Sequence, residues 1–582
     1  MIRQLYFLRS GVKVLATLTV VALVTFAALP AWGQNFRRYQ PQLPENTEGQ
    51  AELPDEEREP TGDPRILVAE LKGLVFLDSQ DRVVQRPEVR QGVYVDSSGL
   101  WLLHSQAFRG VVGPYLGGPV SIRRLNEMVQ DIIRFYRRND QPVVDVSVPE
   151  QDITEGMVQV VVTEGRIGHV RVEGARYFNP WVLLRESCMT QGSPIYESML
   201  LEDLRWLNRN PFREVDLELT PGTARGTTDV VYNVRDRKPL RVYMGYDDTG
   251  TRPTGLERTF YGFNWGNAFW RDHQLGYQFT GSSDFKKLNA HSFVYSIPLL
   301  NRDTVDFWGS YAEVSSPFAV PFTSDGQAWQ AAFRYNHELC PRGYNDIYRH
   351  RLVSGFDFKV TNTNLEFGGI NVFPSSADIP QFVLGYRGGW ADGYAGMSMG
   401  VDGVYGFSGL AGGNTDADYQ TIRAGAQADY FYSRAWWERR WWLPLDWTFV
   451  TRMTGQVAEG NLLPSEQLGF GGFDSVRGYD MRLVNGDSGY LGSVELRTPA
   501  MNLGLANDQL QFLTFLDYGD ARNHTLLPGE DPSVDLSGTG LGLRYILNPE
   551  ILLRVDYGWQ IEQISYLPTP RERWHVGVVI AH

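Results

Sequence analysis

Across residues 238–582 apolar side chains recur at every second position in short runs. Glycine, asparagine and aspartate separate the runs, and no stretch there carries the spacing of a helix. The alternation is clearest late in the chain. Ile551, Leu553, Val555, Tyr557 and Trp559 share one parity, while Arg554, Asp556, Gly558 and Gln560 share the other. Trp574, Val576, Val578 and Ile580 repeat the pattern, and Tyr490, Val494 and Leu496 oppose Glu495 and Arg497. A soluble sheet hides its apolar face in a core. Here the opposite face of most runs carries charges, so the pattern predicts a wet lumen and a lipid-facing exterior. About sixteen such segments fit this region, each long enough for the ~10 residues of a tilted membrane strand.

The connections alternate in length, as a barrel with an even strand number requires. Arg302, residues 392–393 and residues 548–549 fall in tight turns, whereas 249–257, 317–326, 361–381, 458–488 and 520–535 are among the connections that read as long. Counted in order, 458–488 is the sixth long connection. Trp436, Trp437, Trp441 and Trp442 flank an arginine-rich turn read at 433–445 and suit a headgroup belt.

The chain before residue 238 has another character. Arg3, Arg9 and Lys13 precede an apolar run, 14–29, followed by small residues at Ala31 and Gly33. This order predicts an export signal cleaved after Gly33, because the run is shorter than the ~20 residues of a membrane-spanning helix. Residues 34–64 form a polar, acidic linker with five prolines, Pro41, Pro44, Pro54, Pro60 and Pro64. A strand is expected at 66–71. A helix is expected at 122–139, where Ile122, Leu125, Val129, Ile132, Ile133 and Tyr136 recur and Ser121 is placed to cap. Strands at 143–148 and 157–163 complete a first small α+β module. The order recurs in a shorter copy, with a strand at 168–174, helices at 180–187 and 196–208, and strands at 213–220 and 228–235. The expected boundaries are 65–164 and 165–237, and the edges at 168–174 and 228–235 are read as open to another chain.

Composition narrows the function. The net charge of -14, without a basic run, argues against nucleic acid as a partner. The 16 Trp, 29 Tyr and 60 Gly suit many strands, turns and aromatic girdles. The two cysteines, Cys188 and Cys340, supply neither a disulfide framework nor a Cys-type metal site, although they could pair if both face the periplasm. No His-Glu-x-x-His, Gly-x-Ser-x-Gly, Walker loop or dinucleotide fingerprint occurs, so no catalytic, cofactor or metal site is expected. Residues 538–542 alternate as a strand does.

One pair of motifs remains. The stretch 470–480 contains Val476-Arg477-Gly478-Tyr479, and some forty residues later Phe515-Leu516-Asp517-Tyr518-Gly519 lies inside a strand pattern. This pair resembles the signature of the two-partner secretion transporters, the ShlB/FhaC/HecB family. Val148-Pro149-Glu150-Gln151-Asp152-Ile153 and Arg209-Asn210-Pro211-Phe212-Arg213 resemble phrases of its two polypeptide-transport-associated (POTRA) domains, and residues 245–255 resemble its first barrel hairpin. The resemblance implies a membrane β-barrel of about sixteen antiparallel strands, preceded by two periplasmic α+β POTRA domains and set in the cell outer membrane. It implies an ATP-independent pore for a large Sec-exported, β-rich exoprotein with an N-terminal secretion domain. The implied partners are that cargo, outer-membrane lipid and the barrel-assembly machinery. An outer-membrane insertase of the same superfamily is the alternative. The resemblance also implies that loop 458–488 folds inward and that Arg477 meets Asp517. Val476, Arg477, Gly478, Tyr479, Phe515, Asp517 and Gly519 then form a clamp between loop and lumen. Parity supports the inward aspartate, since Gln511, Leu513, Phe515, Asp517 and Gly519 share the charged side. Family members often carry a plug helix in the linker, which Pro54 interrupts here, and usually end on an aromatic residue where this chain has His582.

Overall fold

The computed structural model describes residues 41, 50–52, 61–251, 254–319, 322–339, 348–367, 370–505, 507–526, 531–564 and 570–582. The expected export signal, most of the 34–64 linker and Cys340 lie outside these residues. The chain divides into two units, one made of Pro44–Pro239 with Trp270–Asp272 and the other of the remaining residues.

The first unit holds two four-stranded sheets. After a two-residue strand, β1 (Ala51–Glu52), the first sheet uses β2 (Gly73–Leu77), β3 (Gly92–Val95), β4 (Val144–Ser147) and β5 (Met157–Glu164), in the order β3-β2-β5-β4. The expected strand at 66–71 is corrected. Ile66 and Leu67 are exposed, Val68 makes only an isolated bridge to Val120, and the strand is β2, whose Leu74 and Phe76 are fully buried. The apolar pattern at 66–71 is real, but β2 is the segment flanked by two partners, β3 and β5, that complete its ladder. The long helix spans Ile122–Arg138, and the Ser121 hydroxyl accepts from the Arg124 N–H at 3.2 Å. Its buried face is Met128, Ile132, Phe135 and Tyr136, rotated from the stripe that begins at Ile122, which is exposed. These residues close a core with Leu74, Phe76, Phe108, Val158 and Val160.

The second sheet contains β6 (Arg166–Glu173), β7 (Arg213–Pro221) and β8 (Thr227–Asp236), in the order β1-β7-β8-β6. Two helices, Pro180–Glu186 and Glu197–Leu207, cover it. Asn179 caps the first, and Pro180 occupies its opening position, where no N–H is needed. Leu183, Leu200, Leu204 and Leu207 pack on Val215, Leu217, Val230 and Tyr232. The expectation of an open edge at 228–235 is corrected, because β8 lies between β7 and β6. Strand β7 is covered in turn by β1, with Leu217 N–H donating to Gln50 C=O at 2.9 Å. Among the described residues the open edge of this sheet is β6 beyond Ile167, whose N–H and C=O are taken by Ser193 and Gly192.

The second unit is a closed, sixteen-stranded antiparallel barrel. Its first strands are β9 (Leu240–Asp247), β10 (Arg258–Ala268), β11 (His273–Ser282) and β12 (Leu288–Pro298). Next come β13 (Thr304–Ala319), β14 (Phe322–Leu339), β15 (Tyr348–Phe367) and β16 (Ile370–Ala391). Then follow β17 (Ala395–Gly406), β18 (Tyr430–Trp442) and β19 (Thr448–Ala458). A short hairpin, β20 (Leu468–Phe470) with β21 (Val484–Gly486), stands apart from the wall. The wall resumes with β22 (Ser488–Arg497), β23 (Asp508–Arg522), β24 (Ser533–Leu547), β25 (Ile551–Gln560) and β26 (Glu572–Ala581), and β26 pairs with β9. Closure gives each strand two neighbours, so no unpaired backbone edge faces hydrocarbon.

Three expectations about the barrel are corrected. Residues 317–326 and 361–381 are largely strand, because β13 to β16 run 16, 18, 20 and 22 residues. Their Thr, Ser and Asn content reads as loop, yet the ladders continue residue by residue once the register is set. The turn read at 433–445 is strand as far as Trp442, so Trp436, Trp437, Trp441 and Trp442 all lie within β18. A helix does exist in this region, Asp416–Ile422. Thr415 and Asp418 cap each other's backbone N–H, and Tyr419 is buried with Ile379, Val404 and Tyr430. Seven residues were too few to leave a periodic stripe. The connection 459–487 between β19 and β22 is the sixth on the side opposite the chain's entry into the barrel.

Candidate functional site

The connection 459–487 carries the first motif. Its hairpin, β20 with β21, brings Phe470 beside Val484. Beyond it the backbone reverses twice. Gly472 N–H donates to Val476 C=O at 3.1 Å, and Arg482 N–H donates to Gly471 C=O at 3.0 Å. Gly478 holds φ +96, a left-handed conformation that a side chain would strain.

The turn delivers Arg477 to the wall, where it is 3 % exposed beside a fully buried Asp517 on β23. Its Nε donates to Asp517 Oδ2 at 2.7 Å, and Nη2 donates to Oδ1 at 2.9 Å. The Arg477 backbone N–H also donates to Oδ2, at 3.1 Å. This is the two-pronged geometry that a lysine cannot reproduce. The remaining nitrogen, Nη1, lies 2.8 Å from Glu495 on β22 and 3.8 Å from Asp556 on β25. Beneath the guanidinium sits the ring of Phe515, with Cζ 3.5 Å from its centroid. A wet lumen would leave such a pair partly solvated, but the structure buries it, and the burial is tolerable because each charge is matched. Arg452 and Arg497 pair with Glu495, and Arg544 pairs with Asp556.

The other motif residues make room for the contact or fasten it. Val476 joins Phe470, Tyr479, Leu491, Ala521 and Leu536 in a small apolar cluster. Tyr479 donates its hydroxyl proton to backbone carbonyls and accepts from Ser537 N–H at 3.3 Å. Gly519 faces Phe470 and Val476, and a Cβ there would fall 2.8 Å from the Phe470 ring. Across the wall, a Cβ on Gly538 would lie 2.1 Å from Arg477 C=O, and one on Gly558 would lie 2.5 Å from Gly478 N. The wall strands are thus bare where the loop crosses them. All seven expected residues, Val476, Arg477, Gly478, Tyr479, Phe515, Asp517 and Gly519, fall in this one cluster.

Several participants had no signal of their own in the sequence. Alternation put Glu495 in the lumen, but nothing in its spacing tied it to Arg477. Gln560 Nε2 donates to Gly478 C=O at 2.8 Å, and Arg573 pairs with Asp480. Farther along the same connection, the buried carboxylate of Asp487 accepts from Arg423, from Leu462 N–H at 2.9 Å, from Gln467 at 3.1 Å and from His524 N–H at 3.0 Å. It thereby joins the connections 407–429, 459–487 and 523–532. An acidic residue just before a strand gives no hint of such a hub.

Comparison with known proteins adds to this geometry. Residues 226–545 match the family described as haemolysin secretion/activation protein ShlB/FhaC/HecB, and residues 93–165 match the ShlB-type POTRA domain. The heme/hemopexin transporter protein HuxB of Haemophilus influenzae is 23% identical over 459 residues, covering 74% of this chain and 76% of its own. The outer membrane transporter CdiB of Dickeya dadantii is 22% identical over 483 residues, covering 78% and 79%. Among solved structures, CdiB from Escherichia coli superposes with a TM-score of 0.71 at 17% identity, covering 91% of this chain and 93% of that one.

Proposed function

Because the chain belongs to the ShlB/FhaC/HecB haemolysin secretion/activation family, we propose that its barrel moves one large, Sec-exported, β-rich exoprotein from the periplasm to the cell surface. It is an outer-membrane transporter of the two-partner secretion type, with its POTRA domains in the periplasm. Residues 1–33 are its signal peptide, 34–64 a linker, 65–164 and 165–237 the POTRA domains, and 238–582 the pore. The cargo's N-terminal secretion domain adds to the open β6 edge of the second POTRA sheet, where backbone groups can continue a ladder. Direction comes from folding of the cargo outside. No residue acts as a catalyst, and no cofactor, ATP or nucleic acid takes part. The barrel-assembly machinery inserts the protein, and outer-membrane lipid surrounds it.

The observation that carries this reading is the connection 459–487 held inside a closed barrel by Arg477 on Asp517. A structural wall has no need of a removable obstruction. A chain-sized pore that must stay shut until cargo arrives does. Arg477 and Asp517 are the clamp, Phe515 its floor, and Val476, Gly478, Tyr479 and Gly519 shape its approach.

The test is secretion of the cognate exoprotein by a chain lacking residues 65–235. The barrel should still assemble and conduct ions while cargo accumulates in the periplasm. Cargo released at the normal level would remove the POTRA domains as its receptor. If other outer-membrane barrels failed to assemble while cargo was unaffected, the insertase reading would replace this one.

A further inference from the structure

At its tip the connection 459–487 touches a histidine that belongs to the last strand. His575 on β26 is completely buried, and both ring nitrogens are engaged. Gly478 N–H donates to Nε2 at 3.2 Å, and Nδ1 lies 3.0 Å from Asp248 Oδ2. An Nε2 that accepts cannot carry the proton, so the proton sits on Nδ1 and is donated to Asp248. Asp248 directly follows β9, the first strand. It also joins the closing ladder, with Oδ1 accepting from Val576 N–H at 3.1 Å and its own N–H donating to Val576 C=O at 3.2 Å. This is the junction where β26 meets β9. It has five registered pairs, from Gly577 with Asp247 to Ala581 with Tyr243, against eight between β9 and β10.

We propose that His575 and Asp248 are positioning residues that couple the loop tip to closure of the barrel seam. One imidazole bridges the backbone of Gly478 to the carboxylate that caps the β26–β9 ladder. The loop therefore cannot withdraw without releasing His575, and loss of His575 takes from Asp248 its hydrogen-bonded side-chain partner at the shortest ladder of the wall, leaving only Arg573 at 3.7 Å. Arg573 reinforces the junction from the side, pairing with Asp480 of the loop and lying 3.7 Å from Asp248.

The test is ion current through the purified full chain in a planar bilayer, without cargo, so it does not depend on the identity of the exported protein. His575→Phe keeps the ring volume but removes both contacts. His575→Gln can reach Gly478 but not Asp248, and His575→Asn can reach Asp248 but not Gly478. His575→Gln and His575→Asn should each raise the open fraction ~5-fold, the effect of one lost net hydrogen bond, and His575→Phe, which loses two, by more than either. Wild-type current from His575→Phe would reduce His575 to a filler and overturn the proposal. The second arm places cysteines at Met244 and Ile580, which are paired across the seam, in a chain with Cys188 and Cys340 replaced by serine. A disulfide there should return the His575→Phe current towards wild type, whereas an unchanged current would show that loop and seam move independently. Heat-modifiable migration on gels reports folding. Should His575→Phe not fold, Asp248→Asn leaves one oxygen for which His575 Nδ1–H and Val576 N–H must compete, and a wild-type open fraction for it overturns the coupling.

Discussion

Arg477 shares its guanidinium between two carboxylates on neighbouring strands, Asp517 on β23 at 2.7 Å and Glu495 on β22 at 2.8 Å. The loop is therefore held by a fork with two anchors. Removing Arg477 takes the guanidinium from Asp517 and leaves Glu495 only Arg452 and Arg497, whereas removing either acid leaves the other anchor in place.

Secretion across a double-mutant cycle should show this asymmetry. Arg477→Ala is expected to be the most damaging, at the ~3–5 kcal/mol lost when one partner of a buried pair is removed. Asp517→Ala should follow, and Glu495→Gln should cost least, because the amide still accepts. Arg477→Lys should also fail, as a point charge cannot span the fork. The double mutant Arg477→Ala/Asp517→Ala should be little worse than Arg477→Ala, with cargo in the medium measured against barrel abundance. Additive losses would mean that the two residues act separately.

Gly519 tests the packing side of the same contact. A Cβ at this position lies 2.8 Å from Phe470, 2.9 Å from Leu491 and 3.1 Å from Val476, so three apolar groups would have to move together. Gly519→Val should displace the loop at an overpacking cost of ~1–3 kcal/mol while the strand ladder persists. The expected readout is a larger resting ion current with normal heat-modifiable migration. An unchanged current would mean the loop does not press on this wall.

Asp487 predicts a separate closure nearer the outer mouth. Asp487→Asn keeps the volume but weakens its pairing with Arg423, and the amide cannot accept from all four sets of donors. Added protease should then cut within 407–429 on intact cells, with secretion changed less than by Arg477→Ala. Continued resistance to the protease would remove Asp487 as the hub of these connections.

The POTRA unit supplies the pH dependence. Burial raises the Glu164 carboxyl above its ordinary range, opposed by the hydrogen bond it accepts from Tyr136 at 3.1 Å. A carboxyl raised on folding favours the folded state most when protonated. Its contribution is complete below the ordinary glutamate value and is lost as pH rises through the folded value. Amide exchange in β5 of the full chain, corrected for the intrinsic rate, should therefore slow from neutral pH towards pH 5. Glu164→Gln should remove that dependence and slow exchange at neutral pH. An identical pH response in this variant would assign the effect to another group.

Much of the molecule was legible in the chain. Alternation fixes which side of each strand meets lipid, because a strand has period two and the two solvents differ so strongly. It placed Asp517, Phe515 and Gly519 on the lumenal face of β23, where they are found. Counting connections placed the motif loop sixth without using the motif. Local signals also fixed the helix cap at Ser121 and the strand nature of 538–542.

What the chain could not specify by itself is who meets whom across the wall. Arg477, Glu495, Asp556 and His575 come from a loop and three separate strands, and their meeting depends on the register of each ladder around the closed barrel. A one-residue slip would turn any of the three strand residues outward, and no local pattern encodes the cumulative stagger. The same reason explains the errors. Whether 317–326 is loop or strand depends on a neighbouring strand of matching length, and whether β8 is an edge depends on β6 and β7 lying on either side of it. Side-chain period is a property of one segment and is written in the sequence. Pairing belongs to two segments at once, and only the folded structure decides it.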